Sequence, residues 1–153
     1  MVVLENARRK ARAVGRPQRL VLGCDTDVLL DGELLGKPGN EGEAREYLER
    51  LSGGEHEVLS GLVLLGPEGA ERSGVATSQV TFHALSQDQI ERYLASGEWR
   101  GRAGAYAIQG LGATLVAAVQ GDVSNVIGLP VSLLLELAPE LGPLADVVDI
   151  DPL

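Results

Sequence analysis

Between residues 21 and 38 the chain reads Val21-Leu22-Gly23-Cys24-Asp25-Thr26-Asp27-Val28-Leu29-Leu30-Asp31-Gly32-Glu33-Leu34-Leu35-Gly36-Lys37-Pro38. An apolar run leads into Gly-Cys-Asp-Thr, a second apolar run follows, Asp31-Gly32 reverses the chain, and Gly36-Lys37-Pro38 closes the segment. Asp-Gly between apolar runs predicts a two-residue hairpin, because a type I′ turn needs positive φ at both central positions. This reading puts Asp25 at the end of a buried strand and returns Lys37 towards its level. A carboxylate and an ammonium so placed suit a metal-bound polyphosphate: the acid holds a cation or a water, and the lysine neutralises phosphate. The same residues also fit a plain polar hairpin, with Asp25 capping a strand and Lys37 solvated.

Outward from the hairpin, helices and strands alternate. Residues 4 to 14 hold no Gly or Pro and carry Leu4, Ala7, Ala11 and Val14 at helical spacing, which puts Lys10 on the flank of a helix. Asn40, with Glu43 three residues on, opens a second helix to Leu51. Glu55 to Leu65 and Val75 to Phe82 read as long strands joined through Gly66-Pro67-Glu68-Gly69. Ser86, with Gln89 in the box position, caps a helix to Ser96. The glycine-dense stretch from Gly101 to Gly112 implies close backbone approach. Thr114 to Gln120 reads as a strand, residues 121 to 125 as a turn, and Pro130 as the first helical position of a helix to Leu137. Pro139 begins an acidic, Pro-containing tail that is expected to fray. The pattern predicts one domain over residues 1–138 and a tail over 139–153. The class is α/β: a mixed, twisted central sheet flanked by helices.

Composition narrows the functions. Across 153 residues, hydrophobic residues make up 44% and charged residues 23%, ordinary globular usage, while aromatics at 3% leave the core to Leu, Val, Ile and Ala. The net charge of -9 argues against general nucleic-acid binding, which needs summed cationic contacts. Six of the 13 basic residues lie in the first 19 positions against one acid, Glu5, so that segment carries +5 and the remainder -14. Such a patch can draw in a small anion, or simply be a solvated helix face. The opening segment lacks the apolar core of a secretory signal and the serines of a transit sequence. A single cysteine, Cys24, accords with a reducing cytoplasm and reads as a small buried thiol before a nucleophile. No run approaches the roughly 18 apolar residues of a membrane helix, so a soluble protein is expected.

Several motifs fail on inspection. Gly110-Leu111-Gly112 lacks a third glycine and precedes a strand, which rules against a dinucleotide fingerprint. His56 and His83 are too few and too isolated for zinc. Gln109 is more informative: its amide offers both donor and acceptor, as reading a base edge requires, though a loop amide bonded to backbone is an equal alternative.

Taken together, Ala7-Arg8-Arg9-Lys10-Ala11, Gly23-Cys24-Asp25-Thr26, Asp31-Gly32-Glu33, Gly36-Lys37-Pro38, Leu51-Ser52-Gly53, His56-Glu57-Val58 and Val80-Thr81-Phe82 form an ordered series with the stretch from Arg102 to Gly112 and with Gly128-Leu129-Pro130. This series resembles the Maf (septum formation) family of nucleoside triphosphate pyrophosphatases. The resemblance implies an inosine-triphosphatase-like fold, a homodimer, and a divalent cation, magnesium or manganese. It also implies cleavage of a nucleoside triphosphate between the α and β phosphates. By position, Asp25 resembles the family's catalytic acceptor and metal residue, Lys10 and Lys37 its phosphate contacts, and Thr26 and Gln109 its specificity positions. Tyr106-Ala107-Ile108-Gln109 is similar to the branch acting on dTTP and UTP. The family's opening strand and Ser-x-Ser-Pro-Arg-Arg, about 40 residues in a domain of ordinary size, have no counterpart ahead of the Lys10 helix. Cys24, Asp27, His83 and Arg102 are smaller departures, Asp27 placing a second charge near the metal region. An active pyrophosphatase, a weakened nucleotide-binding or regulatory relative, and a plain scaffold therefore all remain open.

Overall fold

The computed structural model describes residues 1–15 and 18–142. Strand β1 (Val21–Leu30) turns through Asp31 and Gly32, at φ 50° and 83°, into β2 (Glu33–Leu35), so both turn residues take the positive φ that the Asp-Gly pair predicts. Three further strands, β3 (Glu55–Leu65), β4 (Glu71–Phe82) and β5 (Val116–Gln120), complete a sheet in the order β2-β1-β3-β4-β5. Each described ladder is antiparallel. The expected α/β class, a central sheet flanked by helices, is what the chain adopts, with antiparallel ladders throughout the described sheet where a mixed one was expected.

Helix α1 (Val2–Ala13) lies on one face of this sheet, and α2 (Glu41–Leu51), α3 (Gln87–Ala95), α4 (Val123–Ile127) and α5 (Val131–Leu137) lie on the other. The principal core fills the second face, where Val28, Val58, Val80 and Phe82 of the sheet meet Leu48, Leu51, Ile90 and Leu94 of the helices. On the first face small residues let α1 approach very closely. A Cβ at Gly23 would stand 2.1 Å from the Ala7 carbonyl oxygen, and one at Gly61 2.5 Å from Val3 backbone. Glycine at these two strand positions therefore lets the helix backbone rest directly on the sheet, burying Val3, Ala7 and Ala11.

Several boundaries differ from the sequence reading, each for a local reason. The buried stripe of α1 starts at Val3, and Val14 is 50% exposed because the helix has already ended. Strand β1 does not stop at Asp25; the ladder with β3 runs from Val21 to Leu29, so Asp25 sits mid-strand opposite Gly61. β4 begins at Glu71, since the same ladder logic pairs Leu65 with Glu71 across the Gly66–Gly69 turn. Residues Gly110–Leu115 form a 3-10 turn before β5, and the expected turn at 121–125 becomes α4, nucleated by Asp122 accepting from the Ser124 amide. Pro130 is the N-cap of α5. Asn40 caps α2 as expected, but Glu43 reaches back to the Gly39 amide instead of closing a full box. Of the expected tail, Pro139–Leu141 form a 3-10 turn and residues 143–153 lie outside the described residues.

Candidate active site

The close seating of α1 decides where its polar flank goes. Asn6 and Lys10, one helical turn apart, both reach Asp25 on β1. The Lys10 ammonium donates to Asp25 Oδ1 at 2.6 Å and to the Cys24 carbonyl at 3.1 Å, and the Asn6 amide donates to Asp25 Oδ2 at 3.0 Å. Arg9 in turn donates to the Asn6 side-chain oxygen Oδ1. Asp25 is thus fixed through both oxygens while its side chain stays 17% exposed. Each carboxylate oxygen keeps a further lone pair for a ligand. Arg8, by contrast, is engaged by Glu5 and Glu71, which removes it from the anion patch expected of the basic segment.

Neighbouring residues of β1 point to the opposite face, as strand alternation demands. Thr26 Oγ1 shares a 2.7 Å hydrogen bond with Ser60 Oγ and lies 3.5 Å from the Gly128 carbonyl, which also accepts from the Cys24 thiol at 3.2 Å. Burial, opposed by a hydrogen bond to Thr26 and by the Lys10 charge, leaves the Cys24 thiol above its ordinary pKa, although the side chain is only half-buried and lines the cavity, where the sequence suggested a buried thiol. Beneath it, Asn125 donates to the Val58 carbonyl and to Ser78 Oγ and so ties α4 to the sheet.

The third wall comes from the glycine-dense stretch. The Gly104 amide donates to the Gly36 carbonyl at 3.2 Å, stitching this loop to the chain just beyond β2 where the exposed Lys37 begins its reach. Gly104, at φ 67°, packs against Val28; a Cβ there would meet that side chain at 2.8 Å. Tyr106 is held from below by a 2.7 Å hydrogen bond with His56 Nε2. Burial drives His56 down to a pKa of about 4, so the imidazole is neutral at physiological pH.

These walls enclose one cavity of about 320 Å³, whose lining includes Lys10, Asp25, Thr26, Lys37, Arg102 and Gln109. All five residues singled out from the sequence thus meet around a common space. Asp27 does not line it; burial, against a hydrogen bond from the Val28 amide and with a smaller push from the Asp25 charge, raises its carboxyl pKa. Two residues escaped the sequence reading. Asn6 was discoverable, since it stands four residues before Lys10 on the same helix. Glu98 was not, for nothing near it in sequence shows that its carboxylate accepts from the Leu111 and Gly112 amides, at 3.1 and 2.8 Å.

Three basic side chains against two acids, in a cleft large enough for a nucleotide fragment, describe an anion site. The sequence profile of the Maf-like proteins matches residues 1–141. The chain belongs to the Maf-like protein family. Among curated relatives, the dTTP/UTP pyrophosphatase of Pyrococcus abyssi is 46% identical over 136 residues, covering 88% of this chain and 72% of that one. The dTTP/UTP pyrophosphatase of Dictyoglomus thermophilum is 43% identical over 144 residues, covering 92% and 75%. That of Syntrophus aciditrophicus is 45% identical over 129 residues, 84% of this chain and 63% of its own. This Maf-like chain therefore spans between two thirds and three quarters of most such relatives and somewhat less of the last. Among the described residues, no helix is long and apolar enough to cross a membrane.

Proposed function

We propose that this Maf-like protein hydrolyses nucleoside triphosphates between the α and β phosphates, releasing monophosphate and pyrophosphate, with dTTP and UTP as substrates. The observation that carries the reading is the convergence of Asp25, Lys10, Lys37, Thr26 and Gln109 on one cavity; the names of the relatives support the substrate pair. Asp25 accepts the proton of an attacking water or orients it, a role that suits a carboxylate fixed at both oxygens. Lys37 and Lys10 place positive charge where the leaving pyrophosphate gains negative charge. Thr26 and Gln109 meet the nucleoside.

A divalent cation, magnesium or manganese, fits the donor set. No group of three or more His, Cys, Asp or Glu side chains gathers among the described residues. One exposed-edge carboxylate matches a hard cation that takes most of its ligands from water and phosphate oxygens. Asp25 would hold it, and when bound it supplies charge neutralisation across the triphosphate. We further place the enzyme in the cytoplasm, in keeping with a single unpaired thiol. It acts there as a homodimer without nucleic acid or membrane partners; the exposed Leu22, Val123, Ile127 and Val131 offer apolar surface for a second copy.

A panel of nucleotides tests the reading. With magnesium or manganese, dTTP and UTP should release pyrophosphate faster than dCTP, dATP or a methylated guanosine triphosphate. Equal rates across the panel would remove Thr26 and Gln109 from their assigned role, and no release from any nucleotide would remove the activity.

A further inference from the structure

Gln109 sits at the exposed tip of the loop that closes the cavity, with glycine on its C-terminal side and no cap of its own. A base-reading amide on such a tip discriminates only if the backbone beneath it is held, because a displacement of about 1 Å already breaks hydrogen-bond geometry. The hold comes from a residue that the reaction does not otherwise use. Glu98, on the turn after α3, accepts from the Gly112 amide through Oε1 at 2.8 Å and from the Leu111 amide through Oε2 at 3.1 Å. Oε1 also accepts from the Tyr93 hydroxyl at 2.9 Å, and that hydroxyl accepts from the Ala107 amide at 3.1 Å. One carboxylate therefore grips both ends of the loop, directly on the C-terminal side of Gln109 and through Tyr93 on the N-terminal side.

The fit leaves no slack. A Cβ at Gly110 would stand 2.6 Å from Glu98 Oε2, and one at Gly112 would stand 1.7 Å from the Ala107 carbonyl oxygen and 3.1 Å from Glu98 Oε1. On the C-terminal side of Gln109, glycine at 110 makes room for the carboxylate and glycine at 112 for the Ala107 carbonyl. Two backbone amides and a buried phenol converging on an acid make charge-assisted hydrogen bonds, roughly twice as strong as neutral ones. They also hold Glu98 in its ionised form: burial raises its pKa, and the amides of Gly112 and Leu111, the Tyr93 hydroxyl and the Arg102 charge outweigh it.

We propose that Glu98 is the positioning residue for base selection: by clamping residues 107–112 it sets where the Gln109 amide stands, without touching the triphosphate. This rests on the reading of Gln109 as a nucleoside contact. The test is equilibrium binding of dTMP and dCMP to the full chain, wild type and the variants E98A, E98D and E98Q, with melting temperature recorded alongside. The clamp predicts that the dTMP-to-dCMP affinity ratio falls by about tenfold or more in E98A, as the loss of charged hydrogen bonds implies. Glu98→Gln keeps one acceptor oxygen and should recover part of that ratio. Hydrogen exchange at the Leu111 and Gly112 amides should accelerate in step. An unchanged ratio in a folded E98A protein would overturn the proposal, as would equal loss of affinity for both nucleotides. Pyrophosphate release by the wild type is scored separately. If dTMP is preferred but no pyrophosphate appears, the pyrophosphatase reading falls and the clamp stands; if the wild type releases pyrophosphate but shows no preference, the clamp falls and the activity stands.

Discussion

Asp25 illustrates how little a residue's type says until its neighbours are fixed. Its two oxygens are committed to Lys10 and Asn6, so the acid is held in one orientation towards the cavity. Replacing it with asparagine keeps the shape but removes the carboxylate to which the proposed reaction assigns the proton, and pyrophosphate release should fall by about 10²- to 10⁴-fold, the range of a lost general base. Lys37 makes no ion pair among the described residues. The variant Lys37→Ala should therefore leave the fold intact and raise the KM for dTTP by roughly tenfold or more; an unaltered KM would detach it from the site. His56 is read through stability. Its pKa of about 4 in the folded protein lies below the ordinary 6.5, so the unfolded chain takes up a proton that the folded chain refuses. Stability should fall as pH drops from about 6.5 and level off near 4, by about 3 kcal/mol in all. Urea denaturation across that range measures it, and His56→Gln should flatten the profile.

At the scale of elements, the hairpin and the seat of α1 build the site. The Asp31-Gly32 turn was legible in sequence because positive φ at two successive residues leaves few choices of residue. What sequence could not show was that β1 continues straight through Gly-Cys-Asp-Thr. A polar run in an apolar strand looks like an end, and only the partner residues on β3 and α1, far away in sequence, make it a middle. Glycine-dense residues 101–112 were recognisable as a place of close approach, yet the carboxylate they approach was invisible. The helix seat gives a direct prediction. Gly23→Ala drives a methyl group into the Ala7 carbonyl and should destabilise the protein by about 1–3 kcal/mol or more, as overpacking does. Because α1 would also lift, Asn6 and Lys10 would leave Asp25, so activity should drop further than stability alone accounts for. Denaturation and turnover measured on the same preparation separate the two, and full activity in a destabilised variant would show that α1 need not be seated so closely.

For the molecule as a whole, the described residues form a sheet with α1 on one face and α2 to α5 on the other, which leaves the edge of β1 beside β2 as the place where both faces can serve one cavity. Asp25 and Lys10 enter from the α1 side, Thr26 and Cys24 from the core side, and the loop from Ala103 to Gln109 closes over them. That arrangement explains how residues scattered from position 10 to position 109 line one cavity that gathers positive charge in an otherwise acidic protein. The most direct test is product analysis after incubation of dTTP and magnesium with the wild-type chain and with Asp25→Asn. We expect dTMP and pyrophosphate in equal amounts from the wild type and a trace at most from the variant; dTDP with orthophosphate, or dTTP bound but left intact, would contradict the account.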